Sequence, residues 1–124
     1  MPATILAVLE PEAVEVLLAD IGDAKVVARL LTTYLGELPL RVDRVVSPTA
    51  RSAASTSVEE AAHVLKSTSM IVGAGALSAL AAEIEQAGRV GVAPTDEQCE
   101  QLRALATSTE IDIREAIEGL DSSS

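Results

Sequence analysis

The single histidine among 124 residues, His63, has the side chain best suited to group-transfer chemistry near neutral pH. On a helical wheel turning about 100° per residue, Leu65, Val72, Val58 and Ala61 gather opposite it and read as a core stripe. Glu59, Glu60, Lys66, Ser67, Met70 and Ala74 share its face. The imidazole is therefore expected to stand clear of the core, midway along a helix, beside a cation and a small residue.

An unprotonated imidazole is a good nucleophile near neutral pH. Exposed on a helix, it can attack a phosphoryl group held on another protein. Lys66, three positions on, is placed to neutralise charge on the phosphoryl oxygens. Glu59 or Glu60, one helical turn earlier, could accept the proton of the other ring nitrogen and leave the free one to attack. Ser67 is short enough to let a partner's active site approach, and Met70 is an adaptable apolar docking contact. Ser67 and Ser69 also raise the idea of a serine hydrolase, but no nucleophile elbow or oxyanion loop accompanies them.

The elements that must position these residues are helical throughout, since no alternating strand pattern persists beyond a few residues. A first helix is expected from Pro11 to Ile21, stopped at Gly22. Asp23 caps a second to about Val46, with a kink or local break near Gly36–Leu38 caused by Pro39. Residues 47–56 read as a flexible polar connector. Ser57 with Glu60 forms a capping box for a third helix to about Val72, and Gly73-Ala74-Gly75 makes the turn into a fourth over about Ala76–Ala87. Thr95 with Gln98 is a second capping box, opening a fifth helix to about Leu120. The expected architecture is all-α: an antiparallel up-and-down four-helix bundle with a short additional N-terminal helix, one domain over residues 1–120, and a disordered tail over 121–124.

Composition removes several functional classes. With 9 Lys+Arg against 19 Asp+Glu the formal net charge is −10, which disfavours nucleic acid and anionic membrane surfaces as partners. Tyr34 is the sole aromatic residue, so no base-stacking platform exists. One His and one Cys cannot build a four-ligand zinc site. Cys99, in the first turn of the last helix among Asp96, Glu97 and Glu100, reads as a plain half-exposed thiol. Those acids read as favourable charge at a helix N-terminus, with no calcium loop around them. No phosphate-binding loop for ATP is found, and Gly73-Ala74-Gly75 reads as an interhelix turn. The apolar run Met70–Ala82 falls short of the roughly 20 residues a membrane span needs. No basic region precedes the apolar N-terminal stretch, so a secretory signal is not expected. A soluble, cytoplasmic, monomeric protein is the expectation.

The string Ala62-His63-Val64-Leu65-Lys66-Ser67-Thr68-Ser69, followed by Gly73-Ala74, Leu77, Leu80 and Glu85, resembles the signature of histidine phosphotransfer (HPt) domains. The resemblance extends to the Leu-Leu-Ala-Asp-Ile-Gly-Asp opening, the long helix with Tyr-Leu…Leu-Pro, and the final helix. It implies a phosphoacceptor at His63 and a phosphoryl-steadying Lys66. It also implies that Gly73 ends the site helix so that the next can pack closely. The family's usual Gly after the Lys is Ser67 here, a small residue that would reshape docking slightly.

The resemblance further implies a phosphorelay intermediate that takes a phosphoryl group from a receiver-domain aspartate and passes it to another receiver, without kinase activity of its own. The partners it implies are response-regulator receivers and a hybrid histidine kinase. It implies no cofactor on this chain, Mg²⁺ being expected on the receiver. A non-catalytic adaptor bundle binding a receiver or kinase, or the phosphoacceptor module of a chemotaxis-type kinase, are the alternatives. Glu59, Ser67 and Met70 are the expected docking residues.

Overall fold

A computed structural model describes residues 7–47 and 55–122. Within them the chain forms five helices and no strand: α1 (Ala13–Ile21), α2 (Ala24–Val46), α3 (Ser55–Ile71), α4 (Gly75–Arg89) and α5 (Asp96–Ser122). The fold is an all-α bundle. Its four long helices close a ring of contacts, with α2 packed on α3 and α5, α3 on α4, and α4 on α5; the short α1 packs on α2.

Local sequence signals set most of the boundaries. Gly22 ends α1 in the left-handed conformation at φ +76°, and its N–H reaches the Leu18 carbonyl at 2.8 Å. The Asp23 side chain accepts the Lys25 N–H at 2.9 Å and so caps α2. Thr95 and Gln98 form a reciprocal capping box, with both side-chain-to-backbone bonds at 3.0 Å, immediately before α5. Other boundaries differ from expectation. Helix α1 begins at Ala13, two residues after Pro11. Helix α3 already includes Ser55, so Ser57 lies inside its first turn rather than before it, and the connector expected over 47–56 is shorter. Residues 48–54 of that connector lie outside the described residues. Asp121 and Ser122 continue α5 rather than beginning a tail.

The expected break at Pro39 is absent, and α2 runs unbroken through it. Proline removes one helical hydrogen bond. Leu31, Tyr34, Leu38, Val42, Val45 and Val46, buried on both sides of it, anchor both halves of the helix to the bundle.

The core is aliphatic, built on Val27, Leu31, Val45, Leu65, Leu77, Ile84, Leu102 and Ile113. On α3 the buried stripe is Val58, Ala62, Leu65 and Ser69, continued by Val72 just past the helix. It is rotated from the expected one, for Ala61 is only half-buried. Ser69 is a polar residue that a wheel of apolar positions passes over. Its burial is made possible by Tyr34, whose phenol hydrogen-bonds the Ser69 hydroxyl at 2.8 Å across the α2–α3 seam. Burial raises the Tyr34 pKa above its ordinary value, so the phenol stays neutral. Cys99 is buried, not half-exposed, and joins the aliphatic core at the start of α5. Ala74, expected on the histidine face, is also buried, since α3 ends before it.

The turn between α3 and α4 is held from outside. The Glu10 N–H donates to the Gly73 carbonyl at 2.8 Å, and the Ala7 carbonyl accepts the Ala76 N–H at 3.0 Å. Gly73 itself has φ +81°, and a Cβ there would collide with the Cβ of Ala13. Gly73→Ala should therefore lower the unfolding free energy by about 2–4 kcal/mol, combining left-handed strain with a steric clash. Chemical denaturation monitored by helical circular dichroism measures it; an unchanged midpoint would show that this contact does not constrain the turn.

Candidate functional site

Helices α3 and α4 form a hairpin in which two of the side-chain pairs across the seam are equidistant from Ala74. His63 and Glu85 each lie eleven positions from it, and Glu59 and Arg89 each lie fifteen. Both pairs meet. The His63 Nδ1 and Glu85 Oε2 atoms are 2.7 Å apart, and Arg89 Nε lies 3.4 Å from Glu59 Oε1. The hairpin is drawn close by Ser78, whose hydroxyl donates to the Lys66 carbonyl at 3.0 Å. Gly88 helps too, since a Cβ there would lie 3.3 Å from the Glu59 Cβ.

Glu85 is the hub. Its side chain is only 4% exposed, and such burial of a charge is tolerable only with partners for its oxygens. Oε1 accepts from Lys66 Nζ at 2.6 Å. Oε2 faces His63 Nδ1 and also accepts from Arg89 Nη2 at 3.3 Å. The Lys66 hydrogen bond, opposed by burial and aided by the His63 contact, holds the Glu85 carboxyl below its ordinary pKa. The carboxylate is therefore ionised at neutral pH and acts as an acceptor toward Nδ1. An acceptor at that position favours, in the unprotonated ring, the tautomer with its proton on Nδ1 and its lone pair on Nε2.

His63 itself is 57% exposed. The proton acceptor is thus Glu85 from α4. Neither Glu59 nor Glu60, the acceptors expected from helical spacing, takes that role, and Glu59 is instead paired with Arg89. An acceptor on the same helix must bend back along its own face. One on the neighbouring helix can meet the ring directly. Once the two helices are paired, the equal spacing about the Gly73-Ala74-Gly75 turn is the signal that finds Glu85.

Lys66 stands beside the ring, with its side chain 24% exposed and its ammonium on Glu85. Ser67 is half-buried on the same face. Met70, at 64% exposure, is the most open large apolar residue of α3. A groove of about 380 Å³ runs from Lys66 past Met70 over Ser78, Ala79 and Ala82 toward the α3–α4 turn. This groove beside Lys66 is shallow and floored by small side chains. Among the described residues no cluster of three or more His, Cys, Asp or Glu could hold a metal ion, and no helix is long and apolar enough to cross a membrane.

The sequence model of the Hpt domain matches residues 29–122, three-quarters of the chain and both helices of the site. No curated protein and no solved structure matches the chain.

Proposed function

The chain belongs to the Hpt domain family, and from that premise we propose that it is a phosphorelay intermediate carrying its phosphoryl group on His63 Nε2. The family's role is histidine phosphotransfer in phosphorelays, in contact with receiver domains and kinases. The observation that carries the assignment to His63 is the buried Glu85 carboxylate on Nδ1, which leaves Nε2 as the exposed nucleophile. In the proposed step the Nε2 lone pair attacks the phosphorus of a receiver's aspartyl phosphate. The bond from phosphorus to the carboxylate oxygen breaks, and its electron pair stays with the aspartate. The ring keeps its Nδ1 proton and becomes cationic. Glu85, already ionised and facing that proton, stabilises the new charge without reorganising. Lys66 exchanges Glu85 for the phosphoryl oxygens and offsets their charge. Transfer to a second receiver is the same step in reverse, with Mg²⁺ supplied by the receiver.

The reading makes the chain a phosphocarrier without kinase activity, and it places docking around Ser67, Met70 and the groove beside them, in the cytoplasm where receivers act. The test is to mix the chain with phosphorylated receivers and, separately, with ATP alone. Label that is acid-labile and base-stable should appear with a cognate receiver and not with ATP. Stable binding of a receiver without label would favour the adaptor reading instead.

Two substitutions probe the surroundings of the ring. Lys66→Ala should slow uptake by about tenfold, the scale of one charge-assisted contact to a phosphoryl oxygen, in single-turnover transfer from a phosphorylated receiver. An unchanged rate would remove Lys66 from the transition state. Met70→Asp places a charge on an exposed apolar contact and should weaken receiver docking severalfold with no loss of helicity. Equal apparent affinity for wild type and variant would take Met70 out of the interface.

A further inference from the structure

Arg89 is not needed to make Glu85 a good acceptor, since Lys66 already occupies Oε1 and His63 faces Oε2. Yet its guanidinium reaches the same Oε2 that faces Nδ1, at 3.3 Å, from the last turn of α4. One oxygen is thus shared between the imidazole and a cation. A cation on a shared oxygen draws electron density from it and weakens the other hydrogen bond it accepts. How strongly Arg89 does so is set by a second carboxylate, because Glu59 on α3 holds its Nε at 3.4 Å. The guanidinium is suspended between two acids on two helices and is 54% exposed.

We infer that Glu59 and Arg89 are positioning residues that set the strength of the His63–Glu85 hydrogen bond, Arg89 weakening it and Glu59 drawing Arg89 away. The sharing of Oε2 stands on the geometry alone; its consequence for transfer rests on the phosphocarrier reading above.

The two residues should act with opposite signs and in series. In the full chain labelled with ¹⁵N, the lone histidine gives one pair of ring-nitrogen resonances, read through two-bond correlations to the ring carbon protons. Arg89→Gln leaves Oε2 to His63 and should move Nδ1 downfield. Glu59→Gln releases Arg89 onto Glu85 and should move it upfield. In the double variant the Glu59 substitution should have no further effect, because the residue through which it acts is gone. A general loosening of the hairpin would move both single variants the same way and would overturn the proposal. So would a Glu59→Gln shift that persists when Arg89 is absent.

Phosphoryl uptake from a receiver should follow the resonances, rising by about twofold in Arg89→Gln and falling by about twofold in Glu59→Gln, the scale of exposed ion pairs. Opposed shifts with no phosphoryl uptake by any variant or by the wild type would leave the hydrogen-bond device standing and sink the phosphocarrier reading. Phosphoryl uptake without opposed shifts would do the reverse.

Discussion

His63→Gln is expected to reduce phosphoryl uptake by about a thousandfold or more, to the detection limit of a radiolabel assay, because it removes the nucleophile rather than weakening it. A glutamine amide nitrogen has its lone pair delocalised into the carbonyl and cannot form a stable bond to phosphorus. No second histidine exists in the chain to take over. The substitution should leave the bundle intact. The imidazole is more than half exposed and contributes nothing to the aliphatic core, and glutamine retains an N–H donor for the Glu85 carboxylate. Circular dichroism and the denaturation midpoint should therefore match the wild type while the acid-labile label vanishes. Label that persists at full stoichiometry in a folded His63→Gln protein would place the phosphoryl group elsewhere and end the mechanism.

That prediction stands on features that were already visible in the residue order. A lone histidine opposite an apolar stripe, three positions before a lysine, is a pattern of side-chain types at helical spacing, and helical spacing is a local property. The same is true of the Asp23 cap, the Gly22 stop and the Thr95–Gln98 box, each of which depends on residues within a few positions of one another. Glu85 is different. Its importance depends on which helix lies beside α3 and in what register, and that is decided by packing across the hairpin rather than by either helix alone. Helical spacing favours a partner one turn away and so pointed to Glu59 or Glu60. In the residue order Glu85 stands only as the acidic residue that closes the family signature, and its equal spacing from Ala74 with His63 gains meaning once the two helices are paired. Ser69 was missed for a related reason. A serine in a core stripe looks like an interruption until Tyr34, thirty-five positions away, is brought against it. Pro39 shows the opposite case: of the kink or break that it signals locally, the break does not occur, and buried side chains lie on either side of it.

Glu85→Gln is the prediction that tests this nonlocal part of the site. The isosteric amide preserves volume, so the core around Ile84 should not collapse, but it removes the charge that Lys66, His63 and Arg89 converge upon. Two effects should follow. First, the ring loses both the anion that stabilises its cationic phosphorylated form and the acceptor that selects the Nδ1–H tautomer. Uptake should fall by about 10- to 100-fold, the range in which carboxylates behind a functional histidine usually act. Second, the fold loses charge-assisted hydrogen bonds at a buried position, worth about 1–3 kcal/mol at neutral pH. Lys66 and His63 limit this loss, since both can turn toward solvent. The stability difference carries its own pH signature. Because the folded Glu85 carboxyl titrates below its ordinary value of 4.5, the unfolded chain takes up its proton first as pH falls, and stability drops with it. Wild type should exceed Glu85→Gln by the full amount above pH 4.5. The gap should close as pH falls through the lowered Glu85 value. Denaturant titrations at a series of pH values measure this directly. A gap that stays constant into acid would mean that the wild type is stabilised by packing at this position rather than by its charge, and the carboxylate could then no longer be the group that orients and supports the histidine.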